Sequence, residues 1–146
     1  MTDNNVVLTM YKDLKPVEWI LPFLFIGSKA DRPVMKDSLR LFEEFFVFVK
    51  EIKPELDSYF KFISYSYGPF SYQLKTDLSV LKLLMFIKTK SFNDRTYYCL
   101  TEKGRTKAKE TVARIELVTV EKINQLHRNP SWRYRGIGGG EHDADY

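Results

Sequence analysis

The chain has 146 residues, of which 44% are hydrophobic and 29% are charged. These fractions are close to the averages of globular domains, so the composition excludes a disordered chain and a collagen-like repeat. At this length we expect one domain, because single domains most often contain about 100 to 150 residues. Aromatic residues make up 15% of the chain, and because each buries a large apolar area, a substantial core is possible.

Cysteine content and hydropathy indicate the compartment. Cys99 is the single cysteine, so no internal disulfide can form and a reducing compartment is the simpler expectation. Residues 1–10 are polar and do not resemble a signal peptide. The longest apolar stretch, residues 17–26, has about half the length of a membrane-spanning helix. We therefore expect a cytoplasmic protein without a membrane segment.

Charge is distributed unevenly along the chain. The formal net charge is +4, but residues 1–74 carry 9 basic and 10 acidic side chains, whereas residues 75–140 carry 14 basic and 6 acidic ones. A cationic segment of this kind suits a polyanion, because Lys and Arg that neutralise phosphates release condensed counterions from a nucleic acid. The alternative is a solvated surface without a partner, and composition alone does not separate the two.

Helical periodicity predicts two helices in the first third of the chain. In residues 15–29, apolar residues recur at helical spacing up to a stop at Gly27, and Pro22 is expected to delay the start of this helix or to kink it. Residues 34–53 predict a long second helix with phenylalanines on more than one face. We assign those rings to the core rather than to a ligand pocket.

The middle of the chain has one ambiguous segment and one clear helix. For residues 54–69 we favour a short extended stretch over residues 62–67 that leads into a tight turn at Gly68 and the proline after it. Ser71 is a plausible N-cap for a helix over residues 72–86, in which leucines form one stripe.

A hairpin and a closing helix are predicted after that. Residues 87–92 and 95–101 are rich in β-branched and aromatic residues and flank an Asn-Asp pair, which predicts a β-hairpin. From Thr101, a possible N-cap, apolar residues recur at helical spacing to about His127, although Gly104 weakens the first turn. We therefore predict one closing helix of roughly 25 residues.

The closing helix also predicts an oligomer. A narrow apolar stripe on so long a helix is more typical of an oligomer seam than of a monomer core, so we predict a homodimer. The predicted seam residues are Val112, Ile115, Ile123 and Leu126. The predicted organisation is an N-terminal arm (residues 1–14), a domain that ends in the dimerisation helix (residues 15–127) and a flexible tail (residues 128–146).

Three motifs in this chain resemble those of prokaryotic winged helix-turn-helix DNA-binding proteins. They are YGPFS at residues 67–71, the leucine stripe of the helix that follows, and YYCLTEKG at residues 97–104. In that family a YGP(Y/F)S turn opens the third helix, and a Y-x-L-T-x-x-G segment leaves the wing. The resemblance covers residues 16 to about 112. The chain departs from the family pattern at Met85 or Phe86, where a glycine usually precedes the wing.

The resemblance implies a fold and a function. The implied fold is α+β and mainly helical, a winged helix-turn-helix with a β-hairpin wing and a long C-terminal helix. The implied function is sequence-tolerant or sequence-specific binding of double-stranded DNA, most simply by a transcriptional regulator, with residues 71–86 in the major groove. The alternative is a winged-helix adaptor that binds a protein within a larger complex.

Residue chemistry suggests which side chains contact DNA. Polar residues off the leucine stripe are candidates for base contacts, and Gln73 can form a bidentate contact with adenine. Cations in or beside the predicted wing are candidates for phosphate contacts. The candidates on the recognition helix are Tyr72, Gln73, Lys75 and Thr76. The candidates on the wing and its flank are Lys88, Lys90, Arg95, Lys103 and Arg105.

Few residues suit catalysis. The two histidines have no zinc-ligand spacing with Cys99, which we expect to be a small buried hydrophobe in a strand. The three glycines at residues 138–140 lack the lysine and the preceding strand of a phosphate loop. Glu43 and Glu44 are adjacent carboxylates that we place on a solvated helix face. We therefore expect a protein that is not an enzyme and requires no metal or cofactor.

Overall fold

The computed structural model describes residues 14–28 and 35–128. Most of the predicted arm and of the predicted tail lies outside these residues. The first elements are a 3-10 turn (Pro16–Trp19), α1 (Ile20–Ile26), β1 (Lys36–Asp37) and α2 (Ser38–Glu51). A 3-10 turn (Pro54–Leu56), α3 (Asp57–Phe60), β2 (Ile63–Tyr65) and β3 (Gly68–Phe70) follow. The last elements are α4 (Tyr72–Leu83), β4 (Ile87–Phe92), β5 (Arg95–Leu100), α5 (Glu102–Val112) and α6 (Leu117–Arg128).

The strands form two small antiparallel sheets. The first has the order β1-β5-β4, in which Lys36 pairs with Tyr98 and Ile87 pairs with Leu100. The second contains only β2 and β3. Six helices and these sheets make the described part of the chain α+β and mainly helical, so the predicted fold class is confirmed at that level.

Aromatic rings fill the core where α1, α2 and α3 meet. Phe23, Phe45, Phe48 and Phe60 are all fully buried. The Phe45 ring lies edge to face against both Phe23 and Phe60, with centroids 5.1 and 5.0 Å apart. Such offset and perpendicular arrangements are favoured by the ring quadrupoles. The phenylalanines of the second helix are therefore core residues, as predicted.

The first helix begins late, as the sequence suggested. Because α1 starts at Ile20, Pro22 lies in its first turn, where the missing N–H costs no helical hydrogen bond. Gly27 is the C-cap but has ordinary helical backbone angles. A Cβ built on Gly27 would lie 2.6 Å from the ring of His127. Gly27 is thus required because α6 packs against it.

The prediction of a single closing helix is wrong. The chain forms α5 and α6, which are separated by residues 113–116. This segment contains neither glycine nor proline, so no helix-breaking residue in the sequence indicated the break. The break lets α5 pack against α1, while α6 turns back against both α1 and α2.

The predicted seam residues are occupied by packing within one chain. Ile123 is fully buried, Ile115 and Leu126 are buried, and Val112 is half-buried. The three buried residues belong to the same apolar cluster as the core of α1 and α2. Ile115, Ile123 and Leu126 therefore complete the core of one chain, which leaves them unavailable to a dimer seam, whereas Val112 is not part of this cluster. The homodimer itself stays a prediction.

The segment before α4 is a hairpin rather than one extended stretch. Its turn lies at Ser66 and Tyr67, and Gly68 belongs to β3. The predicted turn at Gly68 is therefore misplaced by two residues. Gly68 has a φ of 125°, which only glycine adopts readily, so its role is to let β3 begin.

Candidate nucleic-acid interface

A buried cap fixes the start of α4, the predicted recognition helix. The Ser71 hydroxyl accepts a hydrogen bond from the Leu74 N–H at 2.9 Å and donates one to the Phe60 carbonyl at 2.6 Å. The first bond satisfies an N–H that has no partner within the helix. The second ties the helix start to the end of α3. The N-cap prediction for Ser71 is confirmed.

The face of α4 that points away from the core is exposed. The buried residues of α4 are Leu74, Asp77, Leu78 and Leu81. At 3.6 residues per turn, the opposite face consists of residues in the same turns; they are Tyr72, Thr76, Ser79 and Leu83, all exposed. Lys75 and Lys82 are also exposed and flank this face. The sequence predicted three of these six side chains and missed Ser79, Lys82 and Leu83.

Gln73, the predicted adenine contact, is held by its own domain. Its Nε2 donates a hydrogen bond to Asp77 Oδ1 at 2.9 Å, and the Tyr59 hydroxyl donates one to Asp77 Oδ2 at 2.9 Å. Burial and the bond to Asp77 raise the pKa of Tyr59 to about 12, so this hydroxyl stays a donor at neutral pH. One of the two Nε2 hydrogens of Gln73 is therefore used within the domain, which restricts how its amide can approach a base.

The predicted β-hairpin is present with its turn at the predicted pair. Asn93 and Asp94 have φ values of 52° and 63°, the left-handed angles that a two-residue type I′ turn requires. The register pairs Lys88 with Cys99 and Lys90 with Tyr97. Because directly paired residues share a face, Lys88, Lys90 and Arg95 lie on one face of the hairpin.

These three cations differ in whether they form an ion pair within the domain. Lys88 and Lys90 are exposed. Arg95 is also exposed, but its Nη1 lies 2.8 Å from Asp37 Oδ2. This ion pair connects the hairpin to β1 and offsets part of the charge of Arg95. Lys88 and Lys90 are therefore the stronger candidates for contact with an anion.

The start of α5 binds the segment that connects α4 to β4. The carbonyl groups of residues 84, 85 and 86 accept hydrogen bonds from Lys103 Nζ at 2.8 Å, Thr101 Oγ1 at 2.6 Å and the Thr101 N–H at 3.0 Å. A Cβ on Gly104 would overlap the Phe86 carbonyl oxygen. Thr101 also caps α5 by accepting a bond from the Gly104 N–H at 3.0 Å. The Leu-Thr-Glu-Lys-Gly motif thus has a structural role, because it connects the start of α5 to the segment that precedes β4.

Two predicted flank residues have roles inside the domain. Lys103 Nζ binds the Leu84 carbonyl and lies 4.7 Å from the Phe86 ring centroid. Arg105 is half-buried, and its guanidinium carbon lies 5.3 Å from the Phe25 ring centroid. Local sequence does not reveal such tertiary contacts, which reduce the availability of both residues for DNA.

Met85 is one of the two residues, Met85 or Phe86, at which the sequence was expected to depart from the winged-helix pattern. Its φ is 69°, in the left-handed region. The Phe86 N–H donates to the Leu81 carbonyl at 2.9 Å, and the Met85 N–H donates to the Lys82 carbonyl at 3.0 Å. These two bonds define a Schellman C-cap, which usually has glycine at the left-handed position. Met85 therefore adopts the left-handed conformation of this cap although it is not a glycine.

Glu44 is a buried ionic centre, which contradicts the predicted solvated face. The carboxylate is 0% exposed. Lys36 Nζ lies 2.6 Å from Oε1, Arg40 Nε lies 2.9 Å from Oε2, and His127 Nδ1 lies 3.4 Å from Oε1. Burial alone would raise the pKa of Glu44, but His127 and Lys36 outweigh burial and lower this pKa to about 2.

The partners of Glu44 connect three elements. Lys36 is in β1, Arg40 is in α2, and His127 is in α6. His127 Nε2 lies 3.0 Å from the Phe23 carbonyl oxygen, and since a carbonyl only accepts, this nitrogen donates. A buried carboxylate requires such compensation. Only Arg40, one helical turn before Glu44, could have indicated it from the sequence.

Cys99 is buried, as predicted. Its thiol donates to the Leu100 carbonyl at 3.4 Å. Burial raises the pKa of the thiol although Lys88 and Arg105 act in the opposite direction, so the thiolate needed for a nucleophile is disfavoured. Residues 14–28 and 35–128 contain no group of three or more His, Cys, Asp or Glu placed to hold a metal ion.

No protein-family model, curated protein or solved structure matches this chain. Across the two described ranges, no helix combines the length and the apolar character that crossing a membrane requires.

Proposed function

We propose that the protein binds double-stranded DNA as a winged helix-turn-helix protein, with α4 in the major groove and the β4–β5 hairpin as its wing. Its simplest role is that of a cytoplasmic transcriptional regulator. The proposal is supported by the order of elements, in which a capped helix runs into a β-hairpin and then into a closing helical segment. An α-helix fits the major groove, which is about 12 Å wide.

One observation carries the proposal. Four exposed lysines follow one another along α4 and β4: Lys75, Lys82, Lys88 and Lys90. The single acidic residue among residues 75–93 is Asp77, and its side chain is buried and hydrogen-bonded. Both α4 and β4 therefore expose lysines and no carboxylate of their own, which suits a phosphate backbone.

The exposed face of α4 suits base contacts next to those phosphates. Helix-turn-helix proteins present the N-terminal part of the recognition helix to base edges. Tyr72, Lys75 and Thr76 occupy that part of α4 and are exposed. The cap at Ser71 leaves these side chains free, because it uses only the Ser71 hydroxyl and backbone groups.

The alternative function is a protein-binding adaptor, and one observation favours it. Four apolar residues in the last turn of α4 and just after it are exposed: Val80, Leu83, Leu84 and Met85. Leu83 is 82% exposed. Contiguous exposed apolar residues commonly mark a protein contact. A contact of this kind depends little on salt, which separates the two functions experimentally.

The test is charge reversal on the hairpin. We expect the wild-type protein to bind a random-sequence duplex, measured by fluorescence anisotropy, and to lose affinity steeply between about 50 and 200 mM salt. The double variant Lys88→Glu/Lys90→Glu should bind at least about 100-fold more weakly, because two phosphate contacts become repulsive. The matched control is Lys122→Glu/Arg128→Glu, which changes the net charge equally at exposed positions of α6 and should retain most of the affinity.

Other outcomes would contradict the proposal. Equal losses in both double variants would mean that net charge, rather than the hairpin, determines binding. Unchanged binding by the hairpin variant would remove the wing from the interface. A wild-type protein that does not bind duplex at about 50 mM salt would favour the adaptor.

A further inference from the structure

We propose that the β2–β3 hairpin is a second DNA-binding surface, on which tyrosine hydroxyls bind the sugar–phosphate backbone beside the N-terminal end of α4. This inference rests on the proposed function, because it adds a second contact to the same duplex. It assigns a role to a hairpin that the predicted recognition helix and wing leave unused.

The hairpin and the start of α4 expose three tyrosines. Tyr65, Tyr67 and Tyr72 are 54, 73 and 66% exposed. All residues of β2 and of its turn are exposed as well. Exposed tyrosines provide a large rigid surface with a polar end, a combination common in binding sites.

Ring packing makes this surface continuous with the outward face of α4. The Phe70 ring stacks on the Phe42 ring of α2, with centroids 5.2 Å apart and an interplanar angle of 2°. Tyr65 and Tyr72 both pack against Phe70, with centroids 5.4 and 4.8 Å away. Since Tyr72 belongs to the outward face of α4, Tyr65 lies next to the side chains that we place in the groove.

The chemistry of the hairpin favours a phosphate backbone over an apolar protein. Residues 61–70 carry one lysine, no carboxylate, two serines and two tyrosines. Hydroxyl groups of Ser and Tyr are common donors to phosphate oxygens, and they position a protein without reading sequence. Lys61 precedes the hairpin in the chain and Lys75 follows it in α4, and both are exposed. The local positive charge therefore also attracts an anion.

The test removes hydroxyls and keeps the rings. The double variant Tyr65→Phe/Tyr67→Phe is titrated against the random-sequence duplex by fluorescence anisotropy at about 50 and 200 mM salt. We expect about tenfold weaker binding at both concentrations, because hydrogen bonds to a charged acceptor are lost. The slope of log affinity against log salt should not change, since a neutral donor releases no counterion. Ser58→Ala, at an exposed position of α3, is the control and should bind like wild type.

The outcomes separate this inference from the function on which it rests. If wild-type protein binds duplex and Lys88→Glu/Lys90→Glu does not, while the tyrosine variant binds as wild type does, the hairpin inference is overturned and the proposed function stands. If wild-type protein does not bind duplex, both fail. A tyrosine variant that loses affinity together with its salt slope also overturns the inference, because the lost contact would then be ionic.

Discussion

At Glu44, a single carboxylate determines how three elements meet. Among its partners, Lys36 lies in β1, His127 lies in α6 and Arg40 lies in the same helix as Glu44. Breaking a buried ion pair by removing one partner costs about 3 to 5 kcal/mol, because the remaining charges stay buried. The fold therefore depends on this residue far more than on its exposed neighbours.

We predict that Glu44→Gln destabilises the protein and makes its unfolding free energy less dependent on pH in acid. The pKa of Glu44 is lowered from 4.5 to about 2, so the carboxylate stabilises the fold above pH 4.5 and loses this effect as the pH falls towards 2. Near pH 7 the variant should lose about 3 kcal/mol of unfolding free energy. Urea titrations near pH 7 and pH 3 measure both effects.

A control isolates the contribution of Glu44. Glu51→Gln, at an exposed position of α2, should change stability by less than about 0.5 kcal/mol. Wild-type protein should lose about 2 kcal/mol more than the Glu44 variant between pH 7 and pH 3. Identical acid dependence in both proteins would contradict the lowered pKa.

Residue roles were predictable where the interaction is local. The caps at Ser71 and Thr101 each bind an N–H three residues ahead, and the left-handed pair at residues 93 and 94 depends on its own backbone. Glu44 was assigned to solvent and Lys103 to DNA, because their contacts with His127 and with the Leu84 carbonyl depend on how separate parts of the chain pack together. The part of the candidate site formed by α4 and β4 was therefore predictable, whereas the tertiary bonds that restrict Gln73 and Lys103 were not.

At the scale of elements, hydrophobic periodicity together with cap and turn residues predicted α4, β4 and β5 to within a few residues. The failures have specific causes. β1 has only two residues, too few for a periodic pattern, and pairing with β5 defines it. Residues 113–116 break the closing segment without a glycine or proline. Tertiary packing of α6 against α1 and α2, rather than local propensity, determines that break.

We predict that Met85→Gly stabilises the protein. A left-handed backbone costs a non-glycine residue about 1 to 2 kcal/mol, and the greater freedom of glycine in the unfolded chain offsets part of this gain. The expected net stabilisation is about 0.5 to 1 kcal/mol. It should appear as a higher urea midpoint with an unchanged m-value.

The control for this prediction is a glycine two residues earlier in the chain. Leu83→Gly, at the last residue of α4, should destabilise the protein by up to about 1 kcal/mol, because that residue is helical. If Met85→Gly destabilised the protein as well, the side chain of Met85 would contribute more to stability than its left-handed backbone costs.

At the scale of the whole molecule, the closing helices complete one core instead of extending from it. Ile115, Ile123 and Leu126 join the apolar cluster of α1 and α2. A periodic stripe shows that a helix face is buried but not which chain buries it, so the sequence could not distinguish a seam from a core. The same stripe therefore supported a dimer interface that the fold fills with its own side chains.

We predict that Ile123→Asp unfolds the protein rather than dissociating it. Ile123 is fully buried, so the variant loses the apolar contacts and also buries an unpaired carboxylate, at a cost of at least about 4 kcal/mol. Circular dichroism should show a lower melting temperature or an unfolded chain. Leu117→Asp, at an exposed position of the same helix, should melt within a few degrees of wild type. A folded Ile123→Asp protein with only an altered mass by light scattering would restore the seam.

The hydrogen bonds from Thr101 and Lys103 to three consecutive carbonyls between α4 and β4 have a consequence for the proposed DNA binding. These bonds hold α4, the β4–β5 hairpin and α5 together, so under the proposed function the protein would lose little conformational freedom on binding a duplex. Adaptation then falls on the duplex, whose pyrimidine–purine steps deform most easily. The protein would then prefer flexible base-pair steps even where no side chain contacts the bases. Differences in affinity among target sequences would appear mainly in the residence time on DNA.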